Sequence, residues 1–394
     1  MLAKGGYKNA PNGDKHAIWT NYFLDHIEEE DKRKLIINKI PEGARRHLYV
    51  IDMQNDFIDR AYGSEKTGKF SVGDGKDIIV PIKKHIEKAI GDSNCKTIVF
   101  SRDYHPGNHC SFFNGEGSRG GNFPSHCVQE TEGAYIIEEF LDTKYVKDYD
   151  ADSNKIHVVF KGIFPNTDSF SAVDFKGARQ KSSGAQCTCD GKGCSSVTGG
   201  FTLKDTNMNP FTYNGKVDET NATQFDGPAV DDGDVFEVCG LAGDYCVRDT
   251  ALALKQKYPK CTVVVLNDLV RYPFLPLNIP VIQHRNREHG SKSVDNHLEN
   301  LKHFISHEKN KGLNYYLFNE AGLVAREDLP KKVETLESSL ETYFHFISDP
   351  RALIEDYCDH SVKMLMPRSM TGGRRIKYVS RRGRNRHTST RKRR

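Results

Sequence analysis

Short apolar runs recur along the chain, and each one ends in a polar or glycine residue. They are HLYVID (47–52), KTIVFSRD (96–103), KIHVVFKG (155–162), DVFEVCGLA (234–242) and CTVVVLND (261–268). Continuous short runs rich in Val and Ile are typical of strands that are buried on both faces of a sheet. The pattern therefore predicts strands of a mainly parallel sheet.

Helical periodicity appears between these runs. Isoleucines recur every three to four residues between the first two runs, at positions Ile78, Ile79, Ile82, Ile86 and Ile90. A second helix is predicted at 244–257, after the fourth run. Strands that alternate with helices predict an α/β fold with a doubly wound, Rossmann-like sheet between two helical layers. Since the carboxyl ends of neighbouring strands line one crevice in such sheets, we expect the polar residues there to converge.

The alternating pattern has extensions at both ends and one interruption. We expect an N-terminal extension at 1–43, the main domain at 44–320 with an insertion at about 176–233, a helical extension at 321–366 and a basic disordered tail at 367–394. Apolar residues at helical spacing predict the helical extension. The insertion is polar and rich in Gly, Ser, Asn and Asp, which is typical of a long loop.

Charge is distributed unevenly along the chain. The 394 residues carry a net charge of +4, but residues 374–394 alone contain eleven Lys or Arg and no acidic residue. This tail is too polar to bury a core, so it predicts either a nuclear address or an arm that binds nucleic acid phosphates without sequence preference.

No apolar stretch reaches the roughly 18 residues that a membrane span needs, and the first residues lack the apolar middle of a signal peptide. We therefore expect an intracellular, cytoplasmic protein, nuclear if the tail is an address, with no membrane contact. The sequence leaves a homo-oligomer as an open alternative.

The ten cysteines are scattered rather than concentrated in a small secreted domain, so we expect thiols. Cys187, Cys189 and Cys194 crowd within the insertion, but no fourth ligand of matching spacing accompanies them. An exposed loop is therefore favoured over a zinc site. Cys246 differs because it lies between a Gly-rich strand end and a helix, where the helix dipole lowers the pKa of a thiol.

Three residues near strand ends bring complementary chemistry to the predicted crevice. They are Asp52 in VIDMQNDF, Lys161 in VVFKGIF and Cys246 in GLAGDYCVRD. A single Asp or Lys at a strand end is usually solvated or ion-paired. Together the three side chains supply a base, a cation and a nucleophile, which is the set that nucleophilic catalysis needs.

A second polar group follows the second run, in VFSRDYHPGNHCSF (99–112). Asp103 and His105 lie two residues apart, so they can point the same way, and His126 in a later loop can complete a face of three ligands. An isolated Asp-x-His pair is most often a surface feature. Three ligands that leave coordination positions open are what a catalytic metal requires.

These motifs together resemble the nicotinamidase branch of the isochorismatase-like cysteine hydrolase family. The matching segments are VIDMQNDF, SRDYHPGNHCSF, PSHCVQETEGA, KG followed by DSFSA, and GLAGDYCVRDTALAL, which occur in the family's order between about 47 and 260. The resemblance implies the isochorismatase-like fold and hydrolysis of nicotinamide to nicotinate and ammonia through a thioester, a reaction of NAD metabolism and pyridine nucleotide salvage.

The resemblance also implies a role for each matching residue. The catalytic triad is Asp52, Lys161 and Cys246. One divalent metal per chain, zinc with iron or manganese as alternatives, is bound by Asp103, His105 and His126, and in some members by the position of His109. A cis peptide joins Leu241 and Ala242, and the backbone N–H groups of Ala242 and Cys246 form the oxyanion hole. Contacts to the substrate ring are expected from Phe57, Phe123 and Phe170.

The chain departs from the family pattern at two of these positions. Phe123 stands where many members have Trp, and Gly243 stands where Thr or Gln commonly follows the cis bond. Two other hypotheses stay open. A related hydrolase acting on another amide or a ureido compound would have no need of the metal face, and a non-catalytic binding or structural protein with a nucleic-acid-binding tail would have no need of the triad.

Overall fold

The computed structural model describes residues 29–58, 68–72, 75–112, 123, 125–153, 155–173, 199–272 and 350–366. Its strands are β1 (Ile36–Ile37), β2 (Arg46–Ile51), β3 (Cys95–Asp103), β4 (Ile156–Lys161), β5 (Phe201–Leu203), β6 (Ala222–Gln224), β7 (Val235–Gly240), β8 (Thr262–Val270) and β9 (Lys363–Leu365). Its helices are α1 (Glu29–Leu35), α2 (Ile79–Gly91), α3 (Glu138–Leu141), α4 (Lys144–Lys147), α5 (Cys246–Lys257) and α6 (Pro350–Asp359). Short 3₁₀ helices occur at Asn55–Phe57, Gly75–Ile78, Glu132–Ala134 and Ala151–Ser153.

These strands form one sheet with the order β1-β9-β8-β7-β2-β3-β4-β5-β6. Pairing is parallel from β1 to β4 along that order, and β5 and β6 are added in antiparallel orientation. The fold is therefore an α/β fold with a mainly parallel sheet, and the predicted fold class is confirmed. All five apolar runs are strands, so those predictions are confirmed as well.

The sheet has a hydrophobic core on each face. The predicted isoleucine helix is α2, and its residues Ile79, Ile82 and Ile86 are at most 5% exposed against one face. On the other face, α5 buries Val247, Ala251 and other apolar residues. Because apolar side chains cover both faces of the central strands, the strands read as continuous apolar runs rather than as alternating ones.

The insertion is not only a loop. It contains β5 and β6, which extend the sheet beyond β4, with Phe201 paired with Phe160. The prediction of a long loop is therefore wrong for this part. The strands are only three residues long, too short to show a period of two. Cys187, Cys189 and Cys194 lie outside the described residues.

The C-terminal extension also contributes to the sheet. Helix α6 lies within the extension predicted at 321–366, of which residues 321–349 lie outside the described residues. Strand β9 was not predicted, and it pairs with β8 through Met364 and Val265. On its other side β9 pairs with β1, through Ile36 and Met364. The sequence pattern missed both strands because each is two or three residues long and its partner is distant in the chain.

The predicted basic tail, from 367 onward, lies outside the described residues. The expectation that all cysteines are thiols is wrong for Cys110, which is disulfide-bonded. Disulfide formation depends on the distance between two Cβ atoms, which sequence spacing does not reveal. Within the described ranges, no helix is long and apolar enough to cross a membrane.

Candidate active site

The polar residues predicted to converge do so at the carboxyl ends of the central strands. Asp52 directly follows β2, Lys161 ends β4, and Cys246 is the first residue of α5. The Lys161 Nζ atom lies 2.7 Å from Asp52 Oδ2 and 3.3 Å from Cys246 Sγ. The three side chains are thus in direct contact, and Lys161 is the residue that joins them.

A fourth residue, Asp103, belongs to the same contact. It ends β3, where it is paired in register with Lys161 of β4, and its Oδ1 lies 2.6 Å from Lys161 Nζ. The lysine side chain is 0% exposed. Although burial opposes the charge, the carboxylates of Asp103 and Asp52 raise the pKa of Lys161 well above its ordinary value. Lys161 is therefore a fixed ammonium group between two carboxylates.

The two carboxylates differ in their proton affinity. Burial raises the pKa of Asp52, although Lys161 acts in the opposite direction. Burial also disfavours ionised Asp103, but Lys161 and His105 hold the pKa of Asp103 well below its ordinary value. Asp103 is thus the permanent anion of the pair, whereas Asp52 is the carboxylate that is suited to exchanging a proton.

The backbone at Asp52 is unusual for a residue that is not glycine. Its φ of 49° lies in the left-handed region. The Asp52 N–H donates to Ser101 Oγ (3.1 Å), and the Ser101 hydroxyl donates to Asp52 Oδ1 (2.6 Å). Such conformations persist where the surroundings hold them, and they are concentrated at functional sites. The neighbouring strand β3 therefore fixes the conformation and the direction of the Asp52 carboxylate.

The protonation of Cys246 differs from the expectation. Burial raises the pKa of the Cys246 thiol well above its ordinary value, and Lys161 only partly opposes this effect. The predicted lowering by the helix dipole is therefore wrong for the free protein, because sequence position does not show that the thiol is 5% exposed. A thiol in this setting needs a base to remove its proton, and the nearby Asp52 carboxylate raises the pKa of the thiol further.

The candidate metal ligands also come together. His105 Nε2 lies 3.2 Å from Asp103 Oδ2, and His126 Nε2 lies 3.6 Å from the same atom. All three donor atoms lie within 4.8 Å of one another. A tetrahedral metal with bonds of about 2.0–2.2 Å separates its ligand atoms by roughly 3.4 Å, so the donor set fits a divalent ion.

The ring of His105 is held in the orientation that such a ligand needs. Its Nδ1 lies 3.0 Å from the carbonyl oxygen of Gly162, which leaves Nε2 to face Asp103. A backbone carbonyl on the second ring nitrogen is the usual partner of a metal-binding histidine. Gly162 has a φ of +63°, and a Cβ at this position would overlap the His105 ring. Lys161 and Gly162, at the end of β4, therefore supply the cation of the site and the space for the candidate ligand His105.

His109 is not brought to this face. Its Nδ1 lies 2.7 Å from Ser111 Oγ and its Nε2 lies 3.2 Å from the Thr167 carbonyl oxygen, so both nitrogens have partners within the chain. His109 instead forms a second group, which shares His105 with the first and includes Asp168, and its donor atoms also lie within 4.8 Å of one another. Sequence reasoning missed Asp168, although the DSFSA motif that contains it was recognised.

Aromatic rings surround His126. The candidate ring contacts Phe57 and Phe123 have ring centroids 5.4 and 6.1 Å from that of His126. Phe170 lies one ring further away, 5.9 Å from Phe123. Sequence reasoning missed Phe70, whose ring is 4.9 Å from His126. No motif marked Phe70, because it comes close to His126 only through the folding of a separate segment.

The loop between β7 and α5 agrees with the expected backbone geometry. The peptide bond between Leu241 and Ala242 is cis. The departure at Gly243 also has a structural reason, because a Cβ there would overlap the ring of Tyr272, which is buried. The ring of Tyr272 therefore occupies the space that a side chain at position 243 would need.

Two curated proteins are similar to the chain in sequence. The nicotinamidase of Saccharomyces cerevisiae is 24% identical over 241 residues, which covers 55% of this chain and 85% of the relative. The nicotinamidase of Escherichia coli is 26% identical over 230 residues, which covers 56% of this chain and 80% of the relative. No family model matches the chain.

Solved structures are similar as well. The yeast nicotinamidase Pnc1p is 23% identical with a TM-score of 0.37, covering 62% of this chain and 94% of that one. PnC1 from L. infantum, solved in complex with nicotinate, is 23% identical with a TM-score of 0.36, covering 64% of this chain and 91% of that one.

Both sequence relatives are nicotinamidases, and the mainly parallel sheet agrees with the fold expected of an isochorismatase-like hydrolase. The chain is therefore similar to the nicotinamidase branch of that family.

Proposed function

We propose that the protein hydrolyses nicotinamide to nicotinate and ammonia through a thioester on Cys246. The observation that carries the proposal is the contact of Lys161 Nζ with Asp52 (2.7 Å) and with Cys246 Sγ (3.3 Å) in a fully buried site. The names of the similar proteins supply the substrate. The arrangement of base, cation and thiol supplies the mechanism.

In the first half-reaction, Asp52 takes the proton of the Cys246 thiol as sulfur attacks the carboxamide carbon. The raised pKa of Asp52 suits this transfer, and the ammonium of Lys161 stabilises the thiolate as it forms. The carbon–nitrogen bond then breaks, Asp52 returns the proton to the leaving nitrogen, and ammonia departs. Cys246 is left as a thioester of nicotinate.

In the second half-reaction, Asp52 removes a proton from water, which attacks the thioester carbonyl carbon. The carbon–sulfur bond breaks, nicotinate is released and the thiol is restored. The backbone N–H groups of Ala242 and Cys246 are proposed to stabilise the oxyanion in both halves. Each such donor contributes about 3 kcal/mol in enzymes where it has been removed.

Asp103, His105 and His126 are proposed to bind one divalent metal, with zinc favoured by an Asp-His-His donor set. When bound, the metal supplies a Lewis acid that can hold the pyridine nitrogen and orient the ring. Phe57, Phe123 and Phe170 are proposed to contact that ring. A related hydrolase of ureido compounds would not need this face, so the face favours nicotinamide over that alternative.

The test is ammonia release from nicotinamide compared with a panel of aliphatic amides and ureido compounds. The metal content of the same preparation is measured in parallel. We expect the highest kcat/KM for nicotinamide and about one divalent metal per chain. A preference for a ureido compound would contradict the proposed substrate, and turnover of nicotinamide at the normal rate without metal would contradict the metal site.

A further inference from the structure

Gln54 binds the backbone of a candidate metal ligand through its side chain. The Asp103 N–H donates to Gln54 Oε1 (2.8 Å), and Gln54 Nε2 donates to the Asp103 carbonyl oxygen (2.7 Å). The same Nε2 also donates to the carbonyl oxygen of Ala134 (3.0 Å). Gln54 is 0% exposed. The buried side-chain amide of Gln54 therefore fixes both the N–H and the carbonyl group of Asp103, and water does not compete for these hydrogen bonds.

Asp56 binds the backbone next to another candidate ligand. Its carboxylate accepts the Cys127 N–H (2.7 Å) and the Lys69 N–H (3.2 Å). Cys127 directly follows His126 and has a φ of 45°, in the left-handed region that a residue other than glycine rarely adopts. A Cβ at Gly133 would overlap the Asp56 carboxylate, so the chain leaves room for this group. Asp56 therefore stabilises the turn that directs His126 toward Asp103.

We propose that Gln54 and Asp56 are positioning residues for the metal face. The inference rests on the proposed metal site. Neither residue is among the donor atoms, but each fixes the backbone of a segment that carries a ligand. Both belong to the short segment that follows β2 and begins with Asp52, so one stretch of chain positions the catalytic base and two of the three ligands. Ligands that are already held in place bind a metal more tightly.

The test measures zinc affinity of the full-length chain, after removal of metal, by competition with a chromogenic chelator. We expect Gln54→Leu and Asp56→Ala each to weaken zinc binding by about 10- to 100-fold, as is usual for residues that orient metal ligands. Asp56→Asn should fall between Asp56→Ala and the wild type, because one amide oxygen can accept only part of what the carboxylate accepts. This readout does not depend on the identity of the substrate.

Asn209 offers a control. Its side chain also binds backbone groups, since Nδ2 donates to the carbonyl oxygen of Val146 (2.7 Å) and Oδ1 accepts the Phe211 N–H (3.0 Å). Neither backbone group belongs to a segment that carries a candidate ligand. Asn209→Leu should therefore lower the thermal unfolding temperature, while zinc affinity stays close to that of the wild type.

Two results would overturn the proposal. Zinc binding as tight in Gln54→Leu and Asp56→Ala as in the wild type would remove the positioning role and leave the metal site standing. A wild-type chain that binds neither zinc nor manganese would remove the metal site and the positioning role together. If Gln54→Leu does not fold, Gln54→Glu and Asp56→Asn, which preserve side-chain volume, take its place, and unchanged affinity in both would overturn the proposal.

Discussion

Two cations, one fully buried and one partly buried, lie near opposite ends of the central strands, each between two carboxylates. At the carboxyl ends, Lys161 contacts Asp52 and Asp103. Toward the amino ends, Arg46 is bonded to Asp92 and to Glu237, with the Glu237 contact at 2.6 Å. The chemistry of the residues is similar in both groups, but their surroundings are not.

The amino-end group has a separate hydrogen bond for each charge. Arg46 uses different nitrogens for its two carboxylates, and His85 Nε2 lies 2.6 Å from the second oxygen of Glu237. Despite burial, His85 and Arg46 hold the pKa of Glu237 below its ordinary value. Asp92 has a lowered pKa as well, chiefly through the Asn94 N–H. All of these shifts favour the charged forms, which is the behaviour of a structural ion-pair network.

At the carboxyl ends, one ammonium group is shared by two carboxylates and a thiol in a fully buried site. There the pKa of Asp52 is raised instead, so one carboxylate of the group favours its protonated form more than usual. A carboxylate whose pKa moves against that of its neighbour is suited to proton transfer. The comparison indicates that full burial together with an unequal pair of carboxylates, rather than ion pairing as such, distinguishes the candidate active site.

The largest expected effect is on amide hydrolysis, and it distinguishes Cys246 from a second buried cysteine, Cys239. Cys246→Ala should lower amide hydrolysis by at least about 10⁴-fold, because removal of a nucleophile removes the covalent route. Ammonia release and thermal unfolding of the variant provide the measurement. Cys239→Ala is the control, since Cys239 is 0% exposed in β7 and its thiol donates to the Tyr49 carbonyl oxygen rather than contacting Lys161. Full activity in Cys246→Ala would contradict the thioester mechanism.

The second effect compares the two cations directly. Lys161→Met should abolish detectable turnover and cost about 3–5 kcal/mol of stability, because two buried carboxylates lose their counter-ion. Arg46→Met should leave kcat/KM unchanged and lower the free energy of unfolding by about 1–2 kcal/mol, since His85 still binds Glu237. Urea unfolding and steady-state kinetics measure both quantities. Loss of turnover in Arg46→Met would show that the two groups do not divide structure and catalysis.

The candidate active site could be predicted from the sequence, whereas the amino-end group could not. The strands β2, β3, β4, β7 and β8 are continuous apolar runs, and parallel strands bring their carboxyl ends together. The meeting of Asp52, Lys161 and Cys246 therefore follows from pattern and topology. The sequence did not reveal the amino-end group. Arg46 and Glu237 are 191 positions apart, and no motif marks either residue.

The sequence also missed features that depend on distant pairing or on burial. Strand β9 joins the sheet beside β8 and β1, although Met364 and Ile36 lie near opposite ends of the described chain. The raised pKa of Cys246 results from burial, which the helix-dipole argument did not include. Local pattern predicts an element and its chemistry, whereas solvent exposure and edge pairing are properties of the assembled fold.

A smaller effect is expected from the aromatic ring that was missed. Phe70 is half-buried, and its ring lies 4.9 Å from His126 and 5.6 Å from Phe123. Phe70→Ala should raise KM for nicotinamide by about tenfold, because the loss of one aromatic contact weakens binding by roughly that factor. The change in kcat should be smaller. Phe164→Ala is the control, because Phe164 is partly buried against Phe201. An unchanged KM in Phe70→Ala would separate Phe70 from the substrate site.

The smallest effect concerns pH and a histidine near the amino ends of the strands. His47 is 0% exposed and its Nε2 lies 3.0 Å from Asp234 Oδ2. Burial lowers the pKa of His47, although Asp234 opposes the shift. The unfolded chain therefore takes up a proton at higher pH than the folded protein. The contribution of neutral His47 to the free energy of unfolding is fully present above a pH of about 6.5 and is lost as the pH falls through the lowered pKa of the folded protein.

We expect the unfolding temperature to fall between pH 7.5 and 5.5. The fall should be smaller by about 2 °C in His47→Gln, whose amide can still donate to Asp234. An equal fall in both proteins, measured by calorimetry, would show that His47 does not contribute to the pH dependence.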